Sequence, residues 1–281
     1  MKSITKYITE KLIIKKDDKN KKYNYQPKTK EELKKLMKKL IKERGDEGDF
    51  NDIDTSEITD MSRLFYKMDG FNGDISRWNV SEVTTMKEMF RDCYSFNQYI
   101  YDWDVSNVTD MEKMFFHCES FNQDLSNWDV SNVTDMSQMF EDCKLFNQPL
   151  NKWNVSKVTY MGSMFSGCEK FNQPLNKWNV SNADTMSWMF CGCELFDQPL
   201  NDWNVSVAKR IDWMFRDCKK FNQPLNKWNT SKVIDMTGIF NGCESFNQDI
   251  SNWNLSKVRD GNTVYMFGGC PIEEKYKPKF K

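Results

Sequence analysis

The chain has 281 residues, 39% of them hydrophobic, with 40 Lys and Arg against 41 Asp and Glu and a formal net charge of −1. No apolar run approaches the roughly 18 residues that a membrane-spanning helix needs, and one histidine with no glycine-rich phosphate loop leaves little for catalysis. The charge is unevenly placed: residues 1–45 hold 16 Lys and Arg against 6 Asp and Glu, so a basic N-terminal arm precedes an acidic body.

Ile4, Tyr7, Ile8, Leu12 and Ile13 fit a short amphipathic helix over 4–14, with a strand at 12–14 as the alternative. Residues 15–28 are charged and polar and read as a loop. Thr29 is placed to cap a helix with Glu32 at the capping-box position. Leu33, Leu36, Met37, Leu40 and Ile41 then recur at helical spacing until Gly45. The first 16 residues contain no uninterrupted apolar stretch, no small-residue cleavage site and no lipobox, so the expected location is cytoplasmic, in a bacterium or a phage- or virus-infected host.

From residue 50 a block recurs every 25 residues. Trp78, Trp103, Trp128, Trp153, Trp178, Trp203, Trp228 and Trp253 mark the register, and phenylalanines from Phe90 to Phe240 and cysteines from Cys93 to Cys243 keep it. A fixed period of this length indicates a repeat solenoid, in which each copy stacks on the next and shares one thin core. Residues 50–74 form a degenerate first coil with Ile53 at the Trp position and Met68 at the Cys position. The last coil, from Trp253, carries two extra residues that move its Phe and Cys to Phe267 and Cys270. The expected organisation is a basic segment and capping helix over 1–49, a solenoid of about nine coils over 50–270 and a tail over 271–281.

Within a coil, Leu125, Trp128, Val130, Val133, Met136, Met139, Phe140, Cys143 and Phe146 form the recurring apolar set. Their spacing predicts short parallel strands at Leu-x-x-Trp-x-Val-x-x-Val and a short helix or 3₁₀ turn at Met-x-x-Met-Phe-x-x-Cys-x-x-Phe. Nine coils about 4.8 Å apart make a rod or arc roughly 40 Å long. Ser131 recurs in all eight Trp-register coils and is expected to satisfy turn backbone through its hydroxyl. Asn147 and Gln148 are expected to form an amide ladder between coils.

The motif Trp-Asx-Val-Ser-x-Val-x-x-Met-x-x-Met-Phe-x-x-Cys-x-x-Phe-Asn-Gln resembles the 25-residue repeat of BspA-type leucine-rich-repeat surface proteins and of mycoplasma lipoprotein-like proteins, over residues 50–270. The resemblance implies a right-handed, leucine-rich-repeat-like solenoid that binds proteins or surfaces, with no catalytic residues to carry over.

Eight of the nine cysteines lie on or near the repeat register, where parallel side chains favour free buried thiols over disulfides. Cys191 lies off it and is the candidate exposed thiol. Cys191-Gly192-Cys193 is the only close pair, so no metal or other cofactor is implied. The sequons at Asn79, Asn107, Asn132, Asn154, Asn179 and Asn204 are read as by-products of the repeat.

The residues that break the pattern are the candidate partner site. Trp188 and Trp213 share one coil position and are expected to form an exposed aromatic pair, with Lys209, Arg210, Arg216 and Tyr160 nearby. Tyr94, Tyr99, Tyr101 and Phe116 form a second candidate patch. Packing against a neighbouring coil is the alternative for both. The expected function is non-enzymatic protein–protein recognition. A surface adhesin for host matrix or glycans is a second class, and nucleic-acid or anionic-surface binding through the basic arm is a third.

Overall fold

The computed structural model describes residues 23–279. The expected helix at 4–14 and most of the loop before Tyr23 lie outside the described residues.

Helix α1 spans Lys30–Arg44. The Thr29 hydroxyl accepts from the Glu32 amide at 3.2 Å, satisfying one of the free N–H groups of the first turn. The Glu32 carboxylate reaches past the cap and accepts from the Lys28 amide at 2.7 Å. Glu31 and Glu32 stand at the positive end of the helix dipole, and Lys42 and Arg44 at the negative end. Gly45, at φ 79°, stops the helix and donates to Ile41 O. Leu33, Met37 and Leu40 share one face and are completely buried. Lys30 bonds Asp60 at 3.1 Å and Arg44 bonds Asp52 at 2.8 Å, so α1 lies over the open end of the first coil and covers its apolar interior.

The coils stack, but not through strands. Among the described residues the parallel pairing is limited to isolated bridges, one per coil junction from Asp60↔Thr85 to Arg210↔Asp235, with Tyr25↔Ile53 and Asp49↔Asp74 at the N-terminal end. Part of the expected loop, around Tyr25, therefore pairs with the first coil. The expected short helix is absent from the described coils as well. Met139 donates to Met136 O, and Cys143 to Phe140 O, closing two successive turns. The third residue of each, Gln138 at φ 59° and Asp142 at φ 57°, is left-handed, the geometry of a type II turn. A left-handed residue at every fourth position ends any helix. It also turns alternate amides sideways: Met136, Gln138, Phe140 and Asp142 donate to Tyr160, Gly162, Met164 and Ser166 of the next coil at 2.7–3.0 Å.

Side-chain columns fill the interior. Phe140 stacks on Phe165 at 5.7 Å, Phe146 on Phe171 at 6.0 Å, and Trp153 on Trp178 at 6.5 Å with a 2° interplanar angle. The recurring indole N–H and thiol groups of the core find partners one coil back. The Trp153 indole N–H donates to Leu125 O at 3.0 Å, and the Cys143 thiol to Phe115 O at 3.0 Å. The amide ladder is present: Asn147 N donates to Asn122 Oδ1, and Asn172 N to Asn147 Oδ1, each at 2.9 Å. The Ser131 expectation needs correction. Its backbone N–H donates to the Asp129 carboxylate at 3.0 Å, an Asx-turn in which the residue before Val130 supplies the acceptor.

At the C-terminal end the register shifts as the two extra residues require. Phe240 N bonds Met266 O, 26 residues on, where Phe215 N bonds Ile239 O, 24 on. Phe267 stacks on Phe240 at 6.1 Å and 4°. Cys270 leaves the thiol pattern and meets Phe246 O at 3.3 Å. Buried Ile272 and the 3₁₀ turn Glu274–Tyr276 follow, with Tyr276 O accepting from Ile250 N at 3.0 Å.

Candidate recognition surface

The two left-handed positions of each coil build one face. The first column reads Arg63, Glu88, Lys113, Gln138, Ser163, Trp188, Trp213 and Gly238, with φ between 54° and 62° throughout. The second includes Lys67, Asp92, His117, Asp142 and Asp217, with glycine in other coils. A non-glycine residue in this conformation costs about 1–2 kcal/mol. The amide bonds that each turn sends to the next coil offset that cost. Backbone bonding fixes the turns, so the side chains there are free to differ from coil to coil.

Trp188 and Trp213 meet as the register predicts, with ring centroids 5.3 Å apart and planes at 28°. Arg216 lies 5.7 Å from the Trp188 ring and 5.2 Å from that of Trp213, within cation–π range of both. Its guanidinium also bonds Asp217 at 3.1 Å. Both indoles are half-buried rather than exposed, because they lie against the turn surface. Lys209 and Arg210 point to other partners: Lys209 to Asp184 at 2.7 Å, and Arg210 to buried Asp212 at 3.0 Å. Tyr160, 52% exposed, stands on the bridge column two coils before Arg210. The set is thus a tight Trp188–Trp213–Arg216 group with Tyr160, Lys209 and Arg210 on the neighbouring columns.

The second candidate patch divides. Tyr99 and Tyr101 pair with each other at 6.0 Å. Tyr94 and Phe116 instead meet around His117, at 6.2 and 3.9 Å from its ring. Arg91 lies 5.0 Å from Phe116 and 5.4 Å from Tyr66.

Two further groups on this face, His117 and Glu88, stand outside both candidate patches. His117 lies between carboxylates of the coils on either side, with Nδ1 2.9 Å from Asp92 and Nε2 3.2 Å from Asp142. The signal was available, since 92, 117 and 142 share one register position. Buried Glu88 is held by Arg63 at 2.9 Å and Arg91 at 3.1 Å. Burial pushes its carboxyl up, but the two guanidiniums outweigh burial and hold it below the ordinary glutamate value.

Cys191 is only half-buried, yet its thiol is not freely exposed: burial pushes it up to about 11. Among the described residues no group of three His, Cys, Asp or Glu is arranged to hold a metal ion, and no helix is long and apolar enough to cross a membrane.

The family profile described as Mycoplasma protein of unknown function, DUF285, matches residues 34–143, 123–217 and 202–274. No match is found among curated proteins.

Proposed function

The chain belongs to this Mycoplasma family, and we propose that it is a non-enzymatic recognition scaffold that binds a protein partner through the turn face of its coils. We further place it with the BspA-type, leucine-rich-repeat-like solenoids, on the strength of the shared motif. The observation that carries the reading is the sorting of constancy and variety. The buried columns and the Asx and Asn ladders repeat with little change, whereas the columns of Trp188 and Arg216 differ in nearly every coil. A surface that only had to be soluble would not need two stacked indoles beside an arginine. Trp and Arg are the residues on which interface energy concentrates, and here stacking holds them rigid before any partner arrives.

A pull-down from host lysate with the wild-type chain and with Trp188→Ala/Trp213→Ala tests this. The reading expects a protein captured by the wild type and lost by the variant, with unchanged circular dichroism. Equal capture by both removes the Trp pair as the binding site.

A further inference from the structure

A different side of the coils carries a second pattern. Between the turns at 126–127 and 131–132, Trp128 and Val130 are buried and Asp129 is exposed. This straight side shows three outward columns, running through Asn127, Asp129 and Asn132. Stacked tryptophans beneath it are nearly parallel, at 2–3° from coil to coil, so the columns continue in line.

Charge on these columns is sorted along the stack. Glu82, Asp102, Asp104 and Asp129 precede Trp153. Lys152, Lys157, Lys177, Lys232 and Lys257 flank or follow it. All nine are exposed, and among the described residues none is in an ion pair. Where acidic meets basic, Lys157 adds to the Ser131 bonds that hold the Asp129 carboxyl below its ordinary value, but along the rest of the columns like charges stand in line and repel one another.

A two-fold axis lying in this face, perpendicular to the stack and between the Trp128 and Trp153 coils, lays each column on itself in reverse order. In the first column Asp102 then opposes Lys177, while Asp52, which would oppose Lys227, is already held by Arg44. Two residues break the sorting, Arg77 in the acidic half and Asp202 in the basic half, and the same axis sets them against each other. In the third column Glu57, paired with Lys28 in its own chain, comes opposite Lys232, and Glu82 comes opposite Val207. A parallel arrangement instead sets like charge on like. The intrachain pair Lys227–Asp202 is 66% and 75% exposed and is readily exchanged for partners across an interface.

We propose that this side is a self-association surface through which a second copy of the chain packs antiparallel, matched by its own charge gradient. The surface lies on different columns from the Trp188 group, so the two readings fail independently.

Sedimentation velocity tests it with three chains: wild type, Lys152→Glu/Lys177→Glu/Lys232→Glu, and Glu82→Lys/Asp102→Lys. None of the replaced side chains is buried or accepts the Asx-turn bond. The expected result is a wild-type dimer at about 20 mM salt that dissociates at about 1 M. Each charge-reversed chain alone is monomeric, and an equimolar mixture of the two forms a heterodimer. That recovery also shows that both variants are folded. A wild type that stays monomeric in low salt overturns the proposal, as does association unaffected by either reversal or a mixture that remains monomeric.

Discussion

The indole of Trp213 lies across the α-carbon of Gly238. A β-carbon built on Gly238 would fall 2.2 Å from Cε3 and Cζ3 of that ring. Gly238 occupies the same left-handed column as the two tryptophans, so the Trp188–Trp213 stack ends on a coil that has made room for it. Gly238→Ala should displace the Trp213 ring and add left-handed strain, lowering stability by about 1–3 kcal/mol. Thermal denaturation and tryptophan fluorescence check this. An unchanged melting temperature with unchanged emission would contradict the packing described.

The asparagine ladder should depend on an acceptor oxygen rather than on an amide. Asn147 Oδ1 takes the Asn172 N–H at 2.9 Å and the Gln173 side chain at 3.1 Å. Asp197 fills the same position naturally, accepting from Asn222 N at 2.9 Å. Asn147→Ala should cost about 1–3 kcal/mol by leaving a backbone donor without a partner, while Asn147→Asp should cost much less. Urea titrations of the two variants separate the outcomes.

The cysteine column should be chemically silent in the folded chain. Burial raises the Cys93 thiol to about 12 and pushes the fully buried thiols such as Cys143 well above their ordinary value. The thiolate is the reactive form, so a thiol reagent at pH 8 should leave the column unlabelled until urea unfolds the chain. Cys191, raised to about 11, and Cys270, also half-buried and raised by burial, should react before the column but more slowly than a free thiol. Mass spectrometry of labelled peptides reads the order, and rapid native labelling of Cys143 would contradict it.

Acid should loosen the N-terminal cap. Arg44 grips Asp52 with two bonds of 2.8 and 3.0 Å and holds its carboxyl below the ordinary aspartate value. A carboxyl depressed in the folded state contributes stability that is complete above its unfolded pKa of about 4 and is lost as pH falls through the folded value. Asp52→Asn should therefore lower stability by about 1 kcal/mol at pH 7 and by little at pH 2. Equal effects at both pH values would show that the ion pair does not stabilise the cap.

The period made the core legible before any coordinates. Trp128, Met136, Phe140, Cys143 and Phe146 all point inward, and the helix over Leu33 to Ile41 lies where capping logic places it. The turns were not legible, because apolar residues three and four apart suit consecutive four-residue turns as well as a helix. The residues that decide between them, such as Gln138 and Trp188, are left-handed without being glycine. Their conformation is imposed by amide bonds to the next coil, which no local pattern records. The division of Tyr94 from Tyr99 has a similar origin, since the core residue Phe96 and the Asn97 ladder separate them. The Asp92–His117–Asp142 contact was readable from register alone.

The central claim is that the varied turn face meets another protein. A photocrosslinking amino acid at Ser163, beside Trp188 on the first left-handed column, tests it in the host cell. The account predicts a covalent adduct with a different protein from Ser163, lost when Trp188 and Trp213 are replaced by alanine. No adduct from Ser163, or one that persists without the two tryptophans, would contradict it.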